Sequence, residues 1–162
     1  METIRLQNEC LEAVLLPGLG GKVASLRWRE NGFEAAARSN VPYRPAYFGA
    51  PFSEFDASGL DDAFPCIDPS VRTVDGRENV YPDHGEIWSA AFSYTSDAAG
   101  AHLVYESGHL PYRYEKNIRL WGDALVTDIR ITLADGAPPF PCLWTYHGLM
   151  RYEEDMRVEF PA

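Results

Sequence analysis

Four histidines occur in the 162-residue chain, His84, His102, His109 and His147. Two of them stand among residues that can do chemistry together. His84 lies in YPDHGEIWS, followed at alternate positions by Glu86 and Trp88. If the stretch from His84 to Tyr94 is an extended strand, those three side chains share one face, because strand side chains alternate with period two. An imidazole, a carboxylate and an indole on one wall suit a sugar ring, which stacks on aromatic faces while polar groups fix its hydroxyls. His147 stands in PFPCLWTYHGLM, shortly after Trp144 and beside Tyr146. Asp61 and Asp62 are adjacent in SGLDDAFPCI, just ahead of Phe64. Each residue also has a plainer reading, with the aromatics as core, the aspartates as turn formers and the histidines as satisfied interior groups.

Other chemistries find little support in the sequence. No H-E-x-x-H or close histidine pair is present, and His84-x-Glu86 supplies two metal ligands with no third or fourth marked. No G-x-S-x-G occurs, and no cysteine sits in a recognised catalytic context. The run LPGLGGK lacks the spacing of a phosphate loop and no helix follows it, so it reads as a tight turn between strands. No cofactor is implied.

The totals narrow the partners. Acidic residues number 24 against 14 basic ones, a formal net charge of -10. Such a surface repels nucleic acid and anionic membranes, and a neutral small molecule fits best. Cys10, Cys66 and Cys142 are few, odd in number and widely spaced, so reduced thiols are expected rather than a disulfide framework or a zinc site. No signal-peptide pattern and no apolar run of about 20 residues is visible, which points to a cytoplasmic protein.

The elements that must hold these residues are strands. The length suits a single domain over 1–162. IRLQNECLEAVLLP reads as two strands around a polar turn. KVASLRW follows, with Ala24, Leu26 and Trp28 expected to face the core. Asn31-Gly32 then gives the strongest hairpin signal in the chain. From Ser39 to Arg77, prolines, glycines and aromatics erase any period, and an ordered loop packed over one end of a sheet is expected. Strands resume through His84–Tyr94, AHLVYES, a long pair turning at Trp121-Gly122-Asp123, PFPCLWTYHGLM and the start of MRVEFPA. No amphipathic helix stands out. The sum is an all-β, antiparallel sandwich or barrel.

Three of these stretches resemble the galactose mutarotase-like superfamily, which includes the aldose 1-epimerases. LPGLGGKVASLRW resembles its opening strand pair, PDHGEIWS its His-Gly motif, and PFPCLWTYHGLM the strand whose histidine is catalytic. SGLDDAFPCI is similar to a segment of less characterised members. The resemblance implies an antiparallel β-sandwich, a supersandwich, with a sugar site on its concave face, and interconversion of the α and β anomers of an aldose by acid–base ring opening. It makes His147 the general acid and His84 the histidine that holds and orients the sugar, with Trp88 lining the site. Glu86, Asp61, Asp62 and Trp144 are further candidates for sugar contact. The arginine that often follows the His-Gly motif is replaced here by Glu86, Ile87 and Trp88, and no match to the family's C-terminal glutamate follows His147. The chain therefore resembles the first half of such a protein, with an incomplete sandwich whose unpaired edges favour self-association. The alternative is a non-catalytic carbohydrate-binding module on the same scaffold; a third reading is a structural β-domain with packed histidines.

Overall fold

The computed structural model describes residues 1–55 and 58–160. Among them the chain forms eleven strands: β1 Ile4–Gln7, β2 Leu11–Leu16, β3 Lys22–Trp28, β4 Leu60–Ala63, β5 Ser70–Val74, β6 Arg77–Tyr81, β7 Ser93–Ser96, β8 Gly100–Glu106, β9 Tyr112–Trp121, β10 Ala124–Leu133 and β11 Thr145–Gly148. The fold is all-β. One sheet has the order β1-β2-β3-β4-β11, a second has β10-β9-β8-β7, and β5-β6 is a separate hairpin. The strand pairings are antiparallel throughout.

Alternation in sequence becomes alternation in burial. On β1, Ile4 and Leu6 are buried while Arg5 and Gln7 are exposed. On β9, Tyr112, Tyr114, Lys116, Ile118 and Leu120 all point inward. The apolar faces of the two larger sheets meet in one core, built on Leu6, Leu15, Val23, Leu103, Tyr114 and Ile118. Burying each large apolar side chain of this kind stabilises the fold by about 1.5–3 kcal/mol. β10 pairs with β9 along its whole length, from Ala124–Trp121 to Leu133–Tyr112, and turns through Gly122 at φ 57. It carries no fully buried residue, as befits the edge of its sheet.

Some expectations from sequence need correcting. The stretch from His84 is not a strand. His84 and Gly85 both adopt left-handed backbone, φ 57 and φ 71, which curls the chain after Pro82-Asp83. A Cβ at Gly85 would lie 2.1 Å from the Phe64 carbonyl oxygen, so only glycine allows this approach. A short 3-10 turn follows at Ile87–Ser89, and strand geometry resumes only at Ser93. His84, Glu86 and Trp88 therefore do not share a strand face. On β3 a bulge between Val14 and Leu15 of the neighbouring strand shifts the register. Val23 joins Leu26 and Trp28 on the core side, and Ala24 packs in a separate cluster with Leu16 and Leu19. This is the one-residue flip that a bulge produces. At Asn31-Gly32 the turn forms, with Gly32 at φ 72, but leads only to an isolated bridge between Arg27 and Glu34. No strand forms from Met156 to Phe160, and residues 161 and 162 lie outside the described residues.

The segment from Ser39 onward is ordered over the outer face of the five-stranded sheet. Tyr43 and Ala46 pack on Leu16, Leu19 and Ala24, and Ala50, Phe52 and Phe55 pack with Trp88. Inside this segment stands β4, a strand that the run of turn-forming residues conceals. It places Asp61 and Asp62 at the centre of the fold rather than in a turn. Among the described residues, no helix is long and apolar enough to cross a membrane.

Candidate functional site

β4 and β11 pair antiparallel, setting His147 opposite Asp61 and Tyr146 opposite Asp62. Because neighbours on a strand point to opposite faces, the two aspartates part company. Asp61 turns to the outer face, where its Oδ1 meets His147 Nδ1 at 2.9 Å. Its Oδ2 lies 3.1 Å from Lys22 Nζ, with the two side chains only 1% and 2% exposed. Lys22 Nζ also donates to the Ser58 carbonyl at 2.9 Å and lies 5.9 Å from the centre of the Tyr43 ring. A buried charge pair is tolerated only when its members are also hydrogen-bonded. The imidazole and the Ser58 carbonyl meet that requirement.

His84 reaches the same place from its tight turn. Its Nδ1 meets Asp83 Oδ1 at 2.8 Å, and Asp83 Oδ2 accepts the Phe52 backbone N–H at 3.0 Å. The Asp83 carbonyl accepts the Trp88 indole N–H at 3.0 Å. Asp83 thus joins the histidine turn, the Phe52 turn and Trp88. Phe52 stacks on the His84 ring with centroids 4.0 Å apart and planes 13° from parallel. It also meets His147 and Trp88 edge-on, at 5.3 and 5.1 Å. The two imidazole centroids are 6.1 Å apart, with planes at 81°. About a quarter of each histidine side chain is exposed, 27% and 26%. Beside this group a small hollow opens between Leu19, Lys22, Tyr43, Arg44, Phe55 and Trp88. Neither histidine is among its lining residues.

Glu86 does not join them. It is buried in the interior and accepts hydrogen bonds from Tyr112 Oη at 2.7 Å, Ser107 Oγ at 2.7 Å and Tyr105 Oη at 2.9 Å. Burial first, and then the Glu86 charge, hold the Tyr112 and Tyr105 phenols well above their usual range. Asp62 also faces inward, ion-paired with Lys116 and accepting from Tyr114 Oη at 3.2 Å. Its Oδ1 has no hydrogen-bond partner among the described residues. Trp144 lies on that inner side too, donating its indole N–H to Tyr114 Oη at 2.9 Å. Tyr146, half exposed at the margin, has its phenol pushed up to about 12 by burial and by the Asp62 and Asp61 charges. Among the described residues, no group of three or more His, Cys, Asp or Glu gathers as a metal site.

The structure therefore brings together His84, His147, Asp61 and Trp88, and separates from them Glu86, Asp62 and Trp144. It adds Lys22, Phe52 and Asp83. The signal for Asp83 stood in the sequence as the residue between Pro82 and His84. Phe52 and Lys22 carried none, since one sits in an aperiodic loop and the other looks like an ordinary strand-start lysine.

No family model matches the sequence, and no curated protein does. Solved structures do. A galactose mutarotase-related enzyme from Lactobacillus acidophilus superposes with a TM-score of 0.67 at 12% identity, covering 82% of this chain and 43% of that one. The Slr1438 protein from Synechocystis sp. PCC 6803 gives 0.62 at 18% identity, covering 82% and 48%. A 4-alpha-glucanotransferase from Thermococcus litoralis gives 0.53 at 22% identity, covering 81% of this chain and 22% of that chain. This chain spans less than half the length of each. At such identities the likeness is one of fold, and the fold is shared with a galactose mutarotase-related enzyme.

Proposed function

We propose that the outer face around His84 and His147 binds an aldose and interconverts its anomers. The observation that supports this most is the meeting of two part-exposed imidazoles, 6.1 Å apart, from separate elements, on a fold shared with a galactose mutarotase-related enzyme. Opening a hemiacetal breaks the C1–O5 bond while O5 gains a proton and the O1 hydroxyl loses one, leaving a C1=O1 carbonyl. Rotation about C1–C2 and the reverse transfers close the ring with the other configuration. His147 is the general acid toward O5, since an imidazole exchanges protons near neutral pH. His84 holds and orients the sugar, and the buried Phe52 and Trp88 back the imidazoles from beneath. The expected partner is a small-molecule sugar, with a second copy of the chain docking along the exposed apolar margin at Leu143, Leu149 and Met150.

The experiment is exchange NMR or polarimetry on freshly dissolved α-glucose and α-galactose. Faster anomer equilibration that His147→Ala abolishes supports the reading, whereas no acceleration of any aldose removes it. A second reading, sugar binding without turnover, is favoured by one observation. Both carboxylates bonded to these rings, Asp61 and Asp83, are already engaged by the Nδ1 atoms. Sugar-dependent shifts without faster equilibration would select it.

A further inference from the structure

The two histidines are held in the same way, although their surroundings differ. His147 is approached at Nδ1 by Asp61, across the β4–β11 pair. His84 is approached at Nδ1 by Asp83, its own chain neighbour. A carboxylate can only accept, so each contact requires a proton on Nδ1. Neither Nε2 has a hydrogen-bond partner among the described residues. Both aspartates are themselves fixed. Asp61 is paired with Lys22, and Asp83 accepts the Phe52 backbone N–H. A proton donor or acceptor fixed by a third group is how acid–base histidines are oriented in general.

We propose that Asp61 and Asp83 are positioning residues that lock both imidazoles as Nδ1–H tautomers. Each ring then presents a bare Nε2, so the site holds two matched proton-exchanging atoms instead of one. This deepens the anomer-interconversion reading and rests on it for its chemical use. O1 and O5 are both bonded to C1, so one ring, entering the step as imidazolium with its second proton on Nε2, can give that proton to O5 while the other, neutral ring takes the O1 proton on its bare Nε2. On reclosure the two protons return by the same atoms, leaving both rings in their starting state. His84 thereby becomes the second proton-transfer group as well as a sugar-holding residue. The stack of Phe52 on His84 keeps that ring from rotating out of register.

The test begins with the full chain and needs no substrate. Long-range ¹H–¹⁵N spectra at alkaline pH report which nitrogen of each neutral ring carries the proton. The expected pattern is a protonated Nδ1 and a bare Nε2 in both His84 and His147. A protonated Nε2 in either ring overturns the proposal. Asp83→Asn follows, because an amide can offer an N–H to Nδ1 and reverse the tautomer. His84 is expected to change to Nε2–H while His147 is unchanged; an unaltered His84 overturns the proposal. Asp61→Asn should do the same to His147, but it also breaks a buried ion pair, so Asp83→Asn carries the test if that variant does not fold. With an aldose that the wild type turns over, His84→Gln should lower kcat by about 10²–10⁴-fold. A rise in KM alone would assign His84 to binding only and overturn its proton-transfer role. If the wild type turns over no aldose, the anomer reading fails while the nitrogen spectra still decide the two dyads.

Discussion

Asp61 and Asp62 are adjacent on one strand and equally buried, each 1% exposed, yet they serve different regions of the molecule. Asp61 faces outward, where its partners are a buried lysine and an imidazole that reaches solvent. Asp62 faces inward, where its partners are a buried lysine and a buried phenol. Glu86 belongs with Asp62, since three hydroxyls enclose it in the interior. Burial of a carboxylate therefore does not by itself mark a site. What separates the two regions is whether the charge is coupled to a group that a ligand can reach.

Breaking each side in turn should give effects of different kinds. The largest is expected on the outer face. His147→Gln should slow anomer interconversion by about 10²–10⁴-fold, the usual contribution of a positioned acid or base. It should leave the thermal midpoint nearly unchanged, since the side chain is a quarter exposed and a glutamine amide can still donate to Asp61; a collapse of the midpoint would make His147 a structural residue instead. On the inner face the effect should be on stability. Lys116→Met leaves the Asp62 charge buried without its ion-pair partner and should cost about 3–5 kcal/mol in urea unfolding. Adding Asp62→Leu to Lys116→Met should recover most of that loss. Failure of the double variant to recover would show that the lysine acts through something other than this pair.

A smaller effect should come from Glu86→Gln, which keeps the shape but alters the set of three acceptor contacts. A loss of about 1–3 kcal/mol is expected, with catalysis per folded molecule unchanged. A loss of activity larger than the loss of folded protein would move Glu86 into the site. pH should also distinguish the interior. The phenols of Tyr112, Tyr114 and Tyr105 are held above the ordinary tyrosine range, chiefly by burial and then by the Glu86 or Asp62 charge. Unfolded tyrosine loses its proton near pH 10, so above that pH the unfolded chain binds fewer protons than the folded one. The stability these phenols contribute is then whole below about pH 10 and declines as pH rises further. Ultraviolet titration should show these rings ionising only together with unfolding. The smallest effect is expected at the exposed Arg119–Asp128 pair between β9 and β10. Arg119→Ala should change stability by less than about 1 kcal/mol.

Much of the scaffold was legible because period-two patterning is a direct image of a half-buried strand. β1, β2, β8, β9 and the turn at Gly122 followed from it. β4 was hidden because Leu60-Asp61-Asp62-Ala63 carries two residues that favour turns, and their burial depends on lysines from β3 and β9, which no local window contains. The turn at His84 was half legible. Pro82-Asp83 announced it, but the left-handed backbone of His84 and Gly85 extends it past the point where alternation suggests a strand. For the same reason Glu86 was grouped with His84 and Trp88 when its side chain goes the other way. His84, His147, Asp61 and Trp88 were all singled out from sequence. Their assembly around Phe52 was not, because an aromatic in an aperiodic loop gives no sign of what it will stack against.

The central claim is that the outer face holding His84 and His147 is where a sugar binds. Ring ¹H–¹³C correlation spectra of all four histidines during titration with a panel of aldoses test it most directly. His102, bonded to Asn117 on the second sheet, serves as the internal control, whereas His109 stacks on Phe48 of the segment that covers the outer face. If the sugar binds there, the His84 and His147 signals move together and saturably with at least one sugar while that of His102 stays in place. Signals of His84 and His147 that remain still across the panel, or that move only in step with His102, would contradict it.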